Sequence, residues 1–203
     1  MEIIVEQVTN DSVIDAIMRI RHRVFECEMG IKPAFANPSE NGSATYLLAR
    51  IGPDKEAVGS LCVTDTSDDH VLHKNFGLGF KPQARVARYT HLAVLKPYRG
   101  MNIPLAMMIE AHRSVIVPRQ FDYTWLLFDV QRAANSFLAA RLGFTPLSET
   151  FVSEYGHRCP LVRDERAPNA RQAILKAEQY LKEFQALVAG ADSARVETTA
   201  LRI

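Results

Sequence analysis

The chain has 203 residues, of which 47% are hydrophobic and 23% charged, and its formal net charge is +1. This is ordinary globular composition at the length of one domain with at most an appendage, and a near-neutral balance leaves no electrostatic footprint for nucleic acid or an anionic membrane surface. No apolar run is long enough to span a bilayer. The acidic opening "MEIIVEQV" lacks the pattern of a secretory signal, so a cytoplasmic protein is expected.

In chain order, Glu2–Val8 is rich in β-branched residues and predicts a first strand. Asn10–Ser12 offers an N-cap, and Ile14, Ile17, Met18, Val24 and Phe25 follow at helical spacing until Gly30. The Pro-, Asn- and Ser-rich stretch Ile31–Ser43 predicts a loop. Ala44–Gly52 and Glu56–Asp65 predict two strands of a hairpin. The polar segment after them is too long for a tight turn and suits a short helix or a lid. Arg85–Val94 is the next strand, and a helix from about Pro104 to Val117 comes after the loop. The nearly all-apolar Thr124–Val130 predicts a strand covered on both faces. A short helix ending at Gly143, two strands around "GHR", and a long helix over Asn169–Ala189 complete the chain, with a tail beyond Gly190. The expected fold class is therefore mixed α/β (α+β). Helices flank a mostly antiparallel sheet, with a parallel splay near its middle.

Cys27, Cys62 and Cys159 are odd in number, far apart and form no CxxC pair. Three reduced thiols fit this spacing better than a zinc site or a disulfide framework, and no metal is expected. The segment "LAVLKPYRGMNIPLAMMIEAHR", Leu92–Arg113, runs strand, loop, helix, the order of a phosphate site at a helix N-terminus.

These features resemble the GNAT acyltransferase superfamily. "HLAVLKPYRG" resembles its fourth strand and the start of its phosphate loop, and "LAARLGF" resembles the end of its second-last helix. "RIRHRVFECEMG", with Arg21 and Phe25 at matching spacing, resembles the opening of the N-acyl amino acid synthases and acyl-homoserine-lactone synthases. "AVGSLCVTD" and "GHRCPLVRD" resemble further strands of that subgroup, and the match covers roughly Glu2 to Asp164.

The resemblance implies a donor site in which the backbone groups of Leu92, Ala93 and Val94 hold a pantetheine arm and polarise its thioester. It makes Arg99, Gly100, Met101, Asn102 and Ile103 the phosphate loop. Asn102 and Pro104 stand where the family has glycines. Glycines let a backbone close on a phosphate, and Pro104 has no N–H to give. Asn102 tolerates positive φ, and the helix N-terminus still attracts an anion. Such a loop suits one phosphate better than a pyrophosphate. That leans towards acyl-phosphopantetheine on an acyl carrier protein and leaves acyl-CoA open.

For the chemistry, relatives place a carboxylate six residues before Val94, and the synthases place an Arg three before it. Here those positions hold Arg88 and His91. Either His91 is the base, or Arg88 binds an acceptor carboxylate while water takes the proton. Strand alternation puts Arg88 and Thr90 on one face and Tyr89 and His91 on the other, so the two are expected in separate sites. Glu26 and Glu28 end the first helix, where the synthases build part of their acceptor site, and Glu28 is the catalytic candidate there. The family's leaving-group Tyr is Ala139 here, with Tyr89, Tyr98 and Tyr123 as substitutes. Its acidic pair is reduced to Glu40, and its third-strand Arg is Cys62.

The expected activity is N-acyl transfer from an acyl carrier protein or acyl-CoA to a small-molecule amine such as an amino acid. An acetyl-CoA-dependent N-acetyltransferase and a non-catalytic acyl-thioester or partner-binding module are the alternatives. The expected division is an acyltransferase domain over 1–166 and a C-terminal helix and tail over 167–203.

Overall fold

The computed structural model describes residues 2–8, 11–31, 44–52, 54–129, 133–147, 149–153 and 156–200. The expected loop after Ile31, with Glu40, lies outside the described residues from position 32 to 43. Eight described strands form one sheet in the order β1-β2-β3-β4-β5-β8-β6, with β7 on β8. They are β1 (Ile3–Gln7), β2 (Ala44–Ile51), β3 (Glu56–Asp65), β4 (Val86–Val94), β5 (Tyr123–Asp129), β6 (Thr145–Pro146), β7 (Phe151–Ser153) and β8 (Gly156–Asp164). All neighbours are antiparallel except β4 and β5.

On one face lies α1 (Asp11–Arg21), extended through a π-helical stretch over His22–Glu28. Its Ile17, Ile20, Val24 and Phe25 pack on Leu48 and Ala93. The chain leaves this helix through Gly30 at φ +68°, where the Ile31 amide bonds the Phe25 carbonyl at 2.8 Å. Positive φ costs glycine little, which is why the helix stops there. The short α2 (His70–Asn75) follows β3, capped by the Asp69 carboxylate on the Leu72 amide at 2.9 Å. Its neighbours Phe76, Leu78 and Phe80 cover Trp125 and Val86 at the other end of this face.

The opposite face carries α3 (Ile103–Ala111), which runs on as a π-helical stretch over His112–Ile116, then α4 (Ala133–Arg141) and α5 (Pro168–Ala200). Ile103, Leu105 and Met107 of α3 are buried against β2, β3 and β4. The helix sits this close because β3 offers Gly59, where a Cβ would meet Ile103 Cγ2 at 3.0 Å and Met107 Sδ at 3.2 Å. Ile174 and Ala177 of α5 are buried in the same core. The tail expected beyond Gly190 continues as helix to Ala200, and β6 is a strand too short for any periodicity to announce.

Candidate functional site

β4 and β5 are parallel partners only over Val86–Tyr89, against Tyr123–Leu126. Beyond Tyr89 each keeps its outer neighbour, β3 or β8, and the two part. The sheet therefore opens into a wedge in which, among the described residues, that edge of β4 has no partner strand. The Leu95 amide bonds the Val58 carbonyl at 2.9 Å, so it points at β3. Alternation along a strand then turns the N–H and C=O of Val94, and of Leu92 before it, away from β3 and into the wedge. Ala93 points back to its partner Ser60. Of the three expected backbone groups, two thus face the wedge.

A bulge lies beside them. Cys62 pairs with Thr90 and Ser60 with Ala93, so β4 carries one more residue than β3 between the two pairs. His91 is in the left-handed region at φ +51°, a position that costs a non-glycine residue roughly 1 kcal/mol. This extra residue resets the alternation. The His91 ring meets Phe25 edge-on at 6.3 Å and Nδ1 lies 3.0 Å from Thr90 Oγ1. His91 therefore faces the α1 side, the side of Arg88, and the expected separation of the two onto opposite faces is corrected.

Two guanidiniums occupy that side, Arg88 half-buried and Arg21 fully buried. Arg88 lies over the Trp125 ring at 4.6 Å and Phe76 at 5.9 Å. Its Nε has no hydrogen-bond partner among the described residues. Burial pulls its pKa below the usual arginine range, against the opposing pull of Asp69 and then Cys62. Arg21, fully buried on α1, lies over the Tyr46 ring at 5.1 Å. Burial lowers its pKa too, opposed by Cys62 and Tyr46. Both remain cations at any ordinary pH. Cys62 is the common neighbour of the pair, and sequence reasoning did not join the three. The pairing of β3 with β4 puts Cys62 and Arg88 on one face, and Arg21 sits one helical turn before the buried Phe25, so the three meet only once these elements are in place.

The loop behind the wedge is compact. A 3-10 turn over Lys96–Tyr98 leads to Gly100 at φ +90° and Asn102 at φ +57°. The Asn102 carbonyl accepts the Ala106 amide at 3.0 Å, and Pro104 sits in the first turn of α3. That turn leaves N–H groups free of intrahelical partners. Arg99 is not extended: Nε donates to the Val94 carbonyl at 3.0 Å and Nη2 to Glu28 Oε2 at 2.6 Å. Glu28 is thus engaged with the loop. Tyr98 donates to Glu56, and Tyr123 accepts from Arg166 at 3.0 Å at the closed end of the wedge.

Behind Tyr89, on the α3 face, lies a buried polar cluster. Arg163 donates from Nη1 to the Leu142 carbonyl at 3.0 Å and from Nη2 pairs with Glu165 at 2.7 Å. Glu165 also accepts from Thr124 and lies 3.3 Å from His112 Nε2. Burial alone would raise the Glu165 carboxyl, but His112, Arg163 and Thr124 together outweigh it and hold it below its ordinary value. Burial also pushes the Tyr89 hydroxyl well above its usual pKa, with Arg163 opposing.

The parted parallel strands, the bare β4 edge and the helix starting behind it are the architecture of a GNAT acyltransferase fold, and the chain adopts that fold. It is similar to the CoA-dependent acyl-homoserine lactone synthase BjaI solved with SAM and isopentyl-CoA, at 15% identity and TM-score 0.69, covering 89% of this chain and 90% of that one. FeeM, an N-acyl amino acid synthase from uncultured soil microbes, matches at 15% identity and TM-score 0.62, over 84% and 97%. An acyl-CoA N-acyltransferase from Pseudomonas aeruginosa matches at 14% and 0.57, over 80% and 99%. No family model and no curated protein sequence matches the chain. Among the described residues, no helix is long and apolar enough to cross a membrane, and no group of His, Cys, Asp and Glu is placed to hold a metal ion.

Proposed function

We propose that this protein is an N-acyltransferase, moving an acyl group from a coenzyme A or carrier-protein thioester to the amine of a small acceptor that carries a carboxylate. One observation carries the reading: backbone N–H groups of Leu92 and Val94 face an open wedge beside two guanidiniums on the α1 side, the buried Arg21 and the half-buried Arg88. The donor's pantetheine amides add to the bare β4 edge as a strand would. The outward N–H groups polarise the thioester carbonyl as negative charge develops on its oxygen. The acceptor amine attacks that carbon; the C–N bond forms, the C–S bond breaks, and the amine's proton ends on the departing thiolate.

Arg99, Gly100, Met101, Asn102 and Ile103 receive the donor phosphate at the start of α3. Arg99 is held by Glu28 until then. Both side chains are partly exposed, and such a pair is worth only about 0–1 kcal/mol. A phosphate can therefore take over the guanidinium at little cost. Glu28 thus acts on the loop, holding Arg99 in reserve. On the acceptor side, Arg88 reads the carboxylate. A guanidinium stacked on Trp125 has lost rotamer freedom before the ligand arrives, so less is lost on binding. His91, turned to the same side by the bulge, is the residue placed to take the amine's proton.

Purified protein should be offered acetyl-CoA, a long-chain acyl-CoA and an acyl carrier protein thioester, each with pooled amino acids. Thiol release with a long-chain donor, dependent on the amino acids, is the expected result. Release with acetyl-CoA alone would make the chain an N-acetyltransferase. Binding of a donor without release would make it a thioester-binding module.

A further inference from the structure

The π-helical stretch at the end of α1 holds a second constellation that the proposed amide chemistry leaves unused. Glu26 Oε2 lies 2.9 Å from His22 Nδ1, and His22 Nε2 lies 3.6 Å from Cys27 Sγ. The spacing follows from the backbone. On an α-helix, residues five apart are turned well away from each other, because neighbours lie at three and four. A π-helical turn bonds i to i+5 and carries more residues per turn, which brings Cys27 round onto His22 while leaving Glu26 beside it. π-bulges of this kind occur frequently at functional sites.

The contact with Glu26 favours one tautomer of a neutral His22. An ionised Glu26 only accepts hydrogen bonds, so a neutral His22 bonded to it carries its proton on Nδ1 and presents the Nε2 lone pair. That lone pair faces the Cys27 thiol. A nucleophile, a base and a group that orients the base are thus in line, the arrangement that activates cysteine in covalent catalysis. Cys27 is exposed, whereas Cys62 and Cys159 are buried. Glu28, next in the chain, holds Arg99, whose Nε is on the Val94 carbonyl. Cys27 thus immediately precedes the residue that holds Arg99.

We propose that Cys27 is a nucleophilic thiol that thioesters acylate, with His22 as its base and Glu26 as the residue positioning His22. His22 Nε2 takes the Sγ proton, and Sγ attacks the thioester carbon. A new S–C bond forms and the donor's C–S bond breaks. The donor thiolate leaves with the proton His22 had taken, and the acyl group stays on Cys27 as a thioester. No oxidant or further reactant is needed. The inference rests on the reading above only for the class of donor, a thioester; it does not require that an amide be formed.

The test is intact-protein and peptide mass spectrometry of the full chain incubated with a long-chain acyl-CoA and no amine. The expected result is one acyl group, on Cys27, released by neutral hydroxylamine and absent in Cys27→Ser. His22→Ala should slow acylation at least roughly tenfold, below the 10²–10⁴-fold span of general-base assistance because the site is exposed, and added imidazole should restore much of the loss. Glu26→Gln should give an intermediate rate, also raised by imidazole. Acyl groups on Cys62 or Cys159, no acylation, or an unchanged rate in His22→Ala would each overturn the proposal. Amide formation assayed in parallel separates the two readings. Cys27→Ser that still makes amide but carries no acyl group supports this inference, and wild type that makes amide with no acyl-Cys27 overturns it while leaving the amide chemistry standing.

Discussion

In the proposed reaction, Arg88 is the residue on which acceptor choice turns. Its guanidinium is stacked on Trp125 and has no hydrogen-bond partner at Nε among the described residues. A charge-assisted hydrogen bond contributes roughly 1.5–3 kcal/mol, which at 1.4 kcal/mol per decade is about 10–100-fold in affinity. Arg88→Gln should raise the acceptor KM by that factor while kcat changes less, the pattern of lost ground-state binding. Steady-state kinetics with a carboxylate-bearing amine check it; a fall in kcat with KM unmoved would take Arg88 out of acceptor binding. Glu165 is a residue of a different kind. Its carboxyl is held below its ordinary pKa, so the stability it contributes is present above the ordinary carboxylate range and is lost as pH falls through the depressed value. Glu165→Gln leaves the buried Arg163 without its anion and should cost about 3–5 kcal/mol at pH 7. The gap between wild type and variant in urea unfolding should close in acid. A gap that persists there would mean that Glu165 acts through packing and not through charge.

At the scale of elements, the site depends on how closely α3 lies on the sheet. Gly59→Val would thrust a side chain into Ile103 and Met107. Overpacking of this kind costs about 1–3 kcal/mol. Because Ile103 opens the helix that follows the phosphate loop, donor affinity should fall along with stability; thermal unfolding and a donor-binding isotherm check both. Arg99→Ala should weaken donor binding without a comparable loss of stability, since its ion pair is partly exposed. Unchanged donor affinity would remove Arg99 from the phosphate site. The elements themselves were largely legible in sequence. The β-branched runs and the spacing of Ile17, Val24 and Phe25 mark β1 to β5 and α1, and Gly143, at φ +74°, marks the end of α4. The bulge at His91 was not legible, because an extra residue in one strand shows only against its partner's register. For the same reason the alternation argument put His91 on the wrong face. The convergence of Arg21, Arg88 and Cys62 hides similarly, since it needs β3, β4 and α1 in their places at once. The π-helical stretch over His22–Glu28 leaves no periodic mark either. Its apolar residues Val24 and Phe25 sit at spacings an ordinary helix also uses.

The whole molecule is a sheet opened at its middle, with the proposed donor site on the open edge of β4 and at α3, and the proposed acceptor site beneath α1. α5 closes the far side through Ile174 and Ala177, so the core that supports the wedge extends beyond the region of resemblance. The central claim is that this wedge joins an acyl thioester to an amine bearing a carboxylate. It is tested most directly by incubating the protein with a long-chain acyl-CoA and an equimolar mixture of amino acids and their decarboxylated amines, then identifying products by mass spectrometry. The account predicts N-acyl amides of the amino acids in large excess over those of the matched amines, with the excess lost in Arg88→Gln. Equal acylation of both sets, or no amide at all, would contradict it.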